Sequence, residues 1–97
     1  MLTGKQRSYL KGLANNIDPT FQVGKNGLSD NFIKQIEEAI ESRELIKIKI
    51  LQNSMLDPTE VANEIADKID AEFVQSIGSR FVLYKESEEN KKIQLPK

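Results

Sequence analysis

Four consecutive residues, Gly24-Lys25-Asn26-Gly27, make the sharpest chemical feature of this sequence. Glycines let the backbone take positive φ and let a ligand approach with no Cβ in the way. The β-favouring stretch Thr20-Phe21-Gln22-Val23 precedes them, and Ser29, a good helix cap, follows. A loop between a strand and a helix start faces free N–H groups, where the helix dipole favours an anion. Lys25 adds a mobile positive charge. The chemistry implied is anion binding, and an oxygen-rich phosphodiester backbone suits it. Asn-Gly is also a common tight-turn pair, so a plain hairpin loop is the competing reading. Ser29 and the helical stripe after it favour strand-to-helix. The spacing is not that of a Walker loop, and nucleotide hydrolysis is not implied.

Three further groups of cations could extend such a surface. Lys5, Arg7 and Lys11 fall on one predicted helix, with Arg7 and Lys11 in an i,i+4 row and Lys5 on the opposite border of the apolar stripe. Any one of them alone reads as a solvated residue; a phosphate-tracking surface needs several within reach. Arg7 is the strongest candidate, because a guanidinium can hold phosphate with two hydrogen bonds. Lys47 and Lys49 alternate with isoleucines, which makes one face of a strand basic; the plainer reading is an edge strand guarded by lysines. Arg80 stands at the turn end of the last strand, where a lone arginine is usually only a surface residue. With Gly24, Lys25, Asn26 and Gly27, these are the candidate contact residues, and they are expected to grip a ligand jointly, with Arg7 and Lys11 beside the loop.

What is missing narrows the function. The chain has no cysteine and no histidine. Disulfides and thiolate zinc sites are excluded, and the usual acid–base side chain near neutral pH is absent. Glu37-Glu38 and Glu88-Glu89 are sequence neighbours, which on a helix diverge by about 100° and do not share a site. No catalytic residue, metal site or cofactor is therefore expected, and no small-molecule substrate. The net charge of −1 is unevenly spread. Residues 1–27 carry four basic residues and one acid; residues 52–97 carry six basic and nine acidic, so the positive end is the front. Few aromatics are present, and no exposed pair of the kind that stacks bases is evident, which favours recognition of backbone and shape.

The elements that must position these residues follow from caps and periodicity. Hydrophobic residues at 38% and charged residues at 30% over 97 residues suit one globular domain. Thr3 with Gln6 makes a capping box for a helix over about 4–16, and Pro19 ends it. Phe32, Ile33, Ile36, Ala39 and Ile40 form the stripe of a helix over 30–43, with Lys34 on its solvated side. Ile46 to Ile50 alternates as a strand. Asp57-Pro58-Thr59-Glu60 starts a third helix to about Asp70, whose outer face carries Glu60, Glu64 and Asp67 and should point away from any nucleic acid. Two strands, 71–77 and 80–86, flank the hairpin turn Gly78-Ser79. The order α-β-α-β-α-β-β predicts an α/β domain over 1–86, with a mixed four-stranded sheet and packed helices. Residues 87–97 read as a charged, frayed tail, with docking of Ile93-Gln94-Leu95-Pro96 back on the body as the alternative. No apolar run approaches the roughly 20 residues of a membrane span, and residues 1–5 lack a secretory signal, so the cytoplasm is expected.

The sequence resembles the CRM-domain family in its stand-alone YhbY-type bacterial form. The resemblance is carried by Leu2-Thr3-Gly4-Lys5-Gln6-Arg7 with Tyr9-Leu10, then Gln22-Val23-Gly24-Lys25-Asn26-Gly27-Leu28. Arg43-Glu44-Leu45-Ile46-Lys47, Val74-Gln75-Ser76-Ile77-Gly78 and Leu83-Tyr84 continue it. It spans about residues 2–86. It implies a fold similar to the C-terminal domain of translation initiation factor three. It also implies binding of structured RNA, specifically ribosomal RNA in precursors of the large ribosomal subunit; separately from the resemblance, a monomer without enzymatic activity is expected. The family's Gly-x-x-Gly loop maps onto Gly24 to Gly27, and its basic first helix onto Lys5, Arg7 and Lys11. The pattern departs after Gly78, where Ser79 stands in place of an arginine and Arg80 follows, and after Tyr84, where Lys85 stands in place of an arginine. The competing function is a protein–protein adaptor that associates with ribosomal proteins.

Overall fold

Thr3 starts the first helix as its sequence dictates. Its hydroxyl accepts the Gln6 N–H at 3.1 Å and its own N–H donates to the Gln6 side chain at 3.1 Å, closing the capping box. The computed structural model describes residues 2–24, 27–51 and 56–97. Its elements run α1 (Gly4–Ala14), β1 (Phe21–Val23), α2 (Asp30–Arg43), β2 (Leu45–Ile50), α3 (Pro58–Ile69), β3 (Glu72–Ile77) and β4 (Arg80–Tyr84). Ser29 caps α2 through a 3.1 Å bond from the Phe32 N–H, and Asp57 caps α3 through the Thr59 N–H at 2.9 Å.

The four strands form one mixed sheet in the order β1-β2-β4-β3. β1 is parallel to β2, while β4 is antiparallel to both β2 and β3. The strand after α3 is therefore not laid beside β2: β4 folds back at Gly78, which has φ of +59°, and inserts between them. The reason is visible in β4 itself. Phe81, Val82, Leu83 and Tyr84 are all buried, which requires cover on both faces and a neighbour on each side. β3 carries Glu72, Gln75 and Ser76 and takes the edge.

The sheet has two unequal covers. On one face Ile46, Ile48, Ile50, Phe81 and Leu83 pack against Ile36 and Ile40 of α2 and the apolar stripe of α3. Glu60, Glu64 and Asp67 lie exposed on that helix, behind the sheet. On the other face a smaller cluster, Leu2, Leu10, Ala14, Leu45, Val74, Val82 and Tyr84, sits beneath α1. One short helix cannot cover four strands, so part of this face stays open.

The charged tail does not fray as its composition suggests. Glu44, with φ of 65°, ends α2, and its fully buried carboxylate accepts backbone N–H groups from Ser87 at 2.8 Å, Lys92 at 2.6 Å and Ile93 at 2.7 Å. Glu41 accepts the Ser87 hydroxyl at 2.6 Å and the N–H groups of Glu88 at 3.1 Å and Glu89 at 3.2 Å. Ile93 and Leu95 then pack against the α1 cluster, and the Gln6 amide donates to the Pro96 carbonyl at 3.1 Å. The Ser87 hydroxyl, helped by the Glu88 and Glu89 N–H groups, holds the Glu41 carboxyl down at about 2. Burial pushes Glu44 up, but its three backbone donors outweigh that and leave it lowered.

The Glu41 carboxyl, lowered by folding, stabilises the docked tail above its ordinary value of 4.5 and loses that contribution as pH falls toward about 2. The backbone amide resonances of Glu88 and Glu89, which donate to Glu41, should move toward random-coil positions through that window while those of β2 and β4 hold; movement of both sets together would show global unfolding instead. Glu44→Gln should cost about 1–3 kcal/mol in urea unfolding, the range for orphaning a buried hydrogen-bonded group.

Candidate functional site

The loop after β1 is built as a strand-to-helix turn, and the hairpin alternative does not occur. Val23 ends β1 opposite Ile50, and the Leu51 N–H donates to the Val23 carbonyl at 2.9 Å. The Gly27 N–H donates to the Gly24 carbonyl at 3.0 Å, closing the turn, and Gly27 has φ of +64°. A Cβ added at Gly24 would lie 3.3 Å from the Leu51 side chain, so the backbone here packs close. Lys25 and Asn26 lie outside the described residues. The helix start beyond the loop is less open to an anion than its sequence suggests, because Asp30 occupies the first turn of α2 and already answers the dipole.

Beside this loop, strand register assembles a row that no linear pattern reveals. Gln22 pairs with Lys49, Lys49 with Arg80, and Arg80 with Ile77. Residues directly opposite share a face, so these four side chains cross the sheet in one line on the α1 side. At three strand spacings the line is roughly 14 Å long. The next line inward is Lys47, Val82 and Gln75. Lys47 and Lys49 are half-buried and Arg80 is exposed. β2 lies between β1 and β4, so its lysines do not guard an edge. Among the described residues no hydrogen bond or ion pair occupies the side chains of Lys47, Lys49 or Arg80. Three cations at one end of an open sheet face, with no paired acid, make a strip of positive potential next to the Gly24–Gly27 turn.

The first-helix cations go elsewhere. Arg7 and Lys11 line a groove of about 550 Å³ along the β3 edge, with Thr59, Phe73 and Ile77. That edge is the far side of the sheet from β1, so they are not beside the loop. The line from Lys49 through Arg80 to Ile77 connects the two. The Arg7 Nε is buried without a partner among the described residues. Lys5 is exposed on α1, as is Lys34 on α2. The Lys85 ammonium serves the fold instead, donating to the Ile69 carbonyl at 2.9 Å and closing the C-terminal end of α3. Among the described residues no group of three or more acidic side chains could hold a metal, and no helix is long and apolar enough to cross a membrane.

A model of the CRS1 / YhbY (CRM) domain matches residues 2–85. The chain belongs to this family. The CRM-domain chain is 53% identical to a Bacillus subtilis protein named Probable RNA-binding protein YqeI, over 99% of this chain and 100% of that one. It is 41% identical to a Haemophilus influenzae RNA-binding protein, over 99% of this chain and 96% of the relative. Its fold matches the solution structure of SAV1595 from Staphylococcus aureus, described as a candidate RNA-binding protein, with a TM-score of 0.82 and 54% identity, covering 99% and 100% of the two chains.

Gln22, Gln75 and Ile77 lie in stretches that carry the family resemblance of this CRM domain, but nothing in those stretches assigns them to one row. Their place in the row depends on β4 inserting beside β2, which alternation along one strand does not signal. The turn geometry is itself testable. Gly27→Val should cost about 1–2 kcal/mol, since a branched side chain is strained at positive φ, while Gly27→Asn should cost distinctly less. Urea unfolding of both variants separates them, and equal cost would mean that the conformation of Gly27 is not what constrains the loop.

Proposed function

We propose that this domain is a non-enzymatic binder of structured RNA. The Gly24-Lys25-Asn26-Gly27 turn and the row of Lys49 and Arg80, with Lys47 behind it, grip the phosphodiester backbone. Arg7 and Lys11 take a further stretch of backbone at the β3 edge, and Lys5 adds long-range attraction. The observation that carries this reading is the alignment of Lys49 with Arg80 beside the glycine turn, on a face that α1 leaves open. The acids of α3 lie behind the sheet and do not oppose it. The names of the relatives support RNA as the ligand. We further propose that the RNA is ribosomal, in a precursor of the large subunit, an assignment that rests on the family resemblance, and that a monomer meets it in the cytoplasm.

Binding to large-subunit ribosomal RNA should weaken with salt along a log–log slope of about −4 to −5, as for phosphates neutralised by Arg7, Lys11, Lys25, Lys47, Lys49 and Arg80. The double variant Lys49→Gln, Arg80→Gln should flatten that slope by about 1–2 while leaving the fold intact. A Gly24→Asp, Gly27→Asp variant should also bind less tightly. Salt-independent binding, or association with ribosomal particles that survives nuclease treatment, would favour a protein–protein adaptor instead.

A further inference from the structure

Between the C-terminal end of α1 and the basic row lies a hollow of about 160 Å³, lined by Asn15, Lys47, Gln75, Ile77, Arg80 and Val82. It is too small for a drug-sized ligand or a whole nucleotide, which need about 300 Å³ or more. We infer that it receives one unpaired nucleobase of a single-stranded RNA segment whose flanking phosphates lie on Lys47, Lys49 and Arg80. This deepens the RNA reading and rests on it.

Four features point to a base. Val82 is buried in the sheet and Ile77 is 65% exposed, which gives an apolar floor and an apolar wall for a flat ring. Asn15 and Gln75 each carry an amide, which donates and accepts at once; base edges present donors and acceptors side by side. Among the described residues no acid lines the hollow, and Lys47 and Arg80 continue the strip that tracks phosphate. The fourth feature is the β-bulge in β3. The register shifts between Phe73, paired with Leu83, and Gln75, paired with Val82. The extra residue, Val74, is buried under α1, so Val74 and Gln75 both serve the α1 side of the sheet. Regular alternation would turn Gln75 to the opposite face; bulges of this kind re-aim a side chain. A base held in a duplex is stacked on both faces and cannot enter a recess beside a helix end, so the nucleotide must be unpaired.

The test is a set of ¹H–¹⁵N correlation spectra of the full chain with hexanucleotides of uridine, cytidine and adenosine, and with a fully paired RNA duplex. The hexanucleotides should shift the side-chain NH₂ signals of Asn15 and Gln75 and the backbone amide of Val82. The duplex should shift Gly24 and Gly27 and leave the two side-chain amides in place. The preferred hexanucleotide should bind about tenfold more weakly to an Asn15→Ala, Gln75→Ala variant, the loss expected for base-edge contacts, while duplex affinity holds. Hexanucleotides that move Gly24 and Gly27 but neither side-chain amide would overturn the inference and leave the RNA reading standing. Equal shifts of those amides by the duplex would overturn it too. Silence of every signal with every RNA would remove both.

Discussion

Everything functional in this domain depends on the two-faced alternation of β2. Ile46, Ile48 and Ile50 are buried against α2 and α3, while Leu45, Lys47 and Lys49 face α1. Slipping that register by one residue would bury two lysines without partners and expose three isoleucines, so the pairing is strongly fixed. Because β2 is interior, Lys49 gains neighbours from both sides: Gln22 from β1 and Arg80 from β4. A basic strand becomes a basic surface only through that placement. The size of α1 then decides how much of the surface is left for a ligand.

Much of the fold is legible in the sequence because it is written locally. Thr3, Ser29 and Asp57 each announce a helix start, and each is found capping one. Gly78-Ser79 announces a hairpin, and Ile46 to Ile50 announces a half-buried strand. What escapes a linear reading is non-local. Nothing in β3 or β4 taken alone says that β4 enters between β2 and β3, although its four consecutive buried residues are the trace such a strand leaves. The same gap explains the site. Lys47, Lys49 and Arg80 are readable as candidates one by one, but their alignment follows from the strand order. Arg7 and Lys11 share a face of α1, yet which sheet edge that face overlooks is settled only by packing.

Glu44 shows a different limit. A glutamate between Arg43 and Leu45 looks like a surface residue at a helix end. Instead it is buried with a positive φ, and its carboxylate gathers backbone donors from a segment more than forty residues away. A carboxylate that accepts several N–H groups tolerates burial that an unpaired one would not. The tail that it holds, through Ile93 and Leu95, completes the small cluster beneath α1. Thus the anchoring of the tail and the position of the helix that frames the open face belong to one packing unit.

In the function proposed for this domain, the glycine turn and the open end of the sheet act as one RNA surface. Photo-crosslinking the protein to bound ribosomal RNA, followed by mapping of the modified residues, tests this most directly. Crosslinks are expected in residues 20–28, 47–51 and 75–80, on one end of one face. Crosslinks concentrated on the outer side of α3, around Glu60, Glu64 and Asp67, would contradict it.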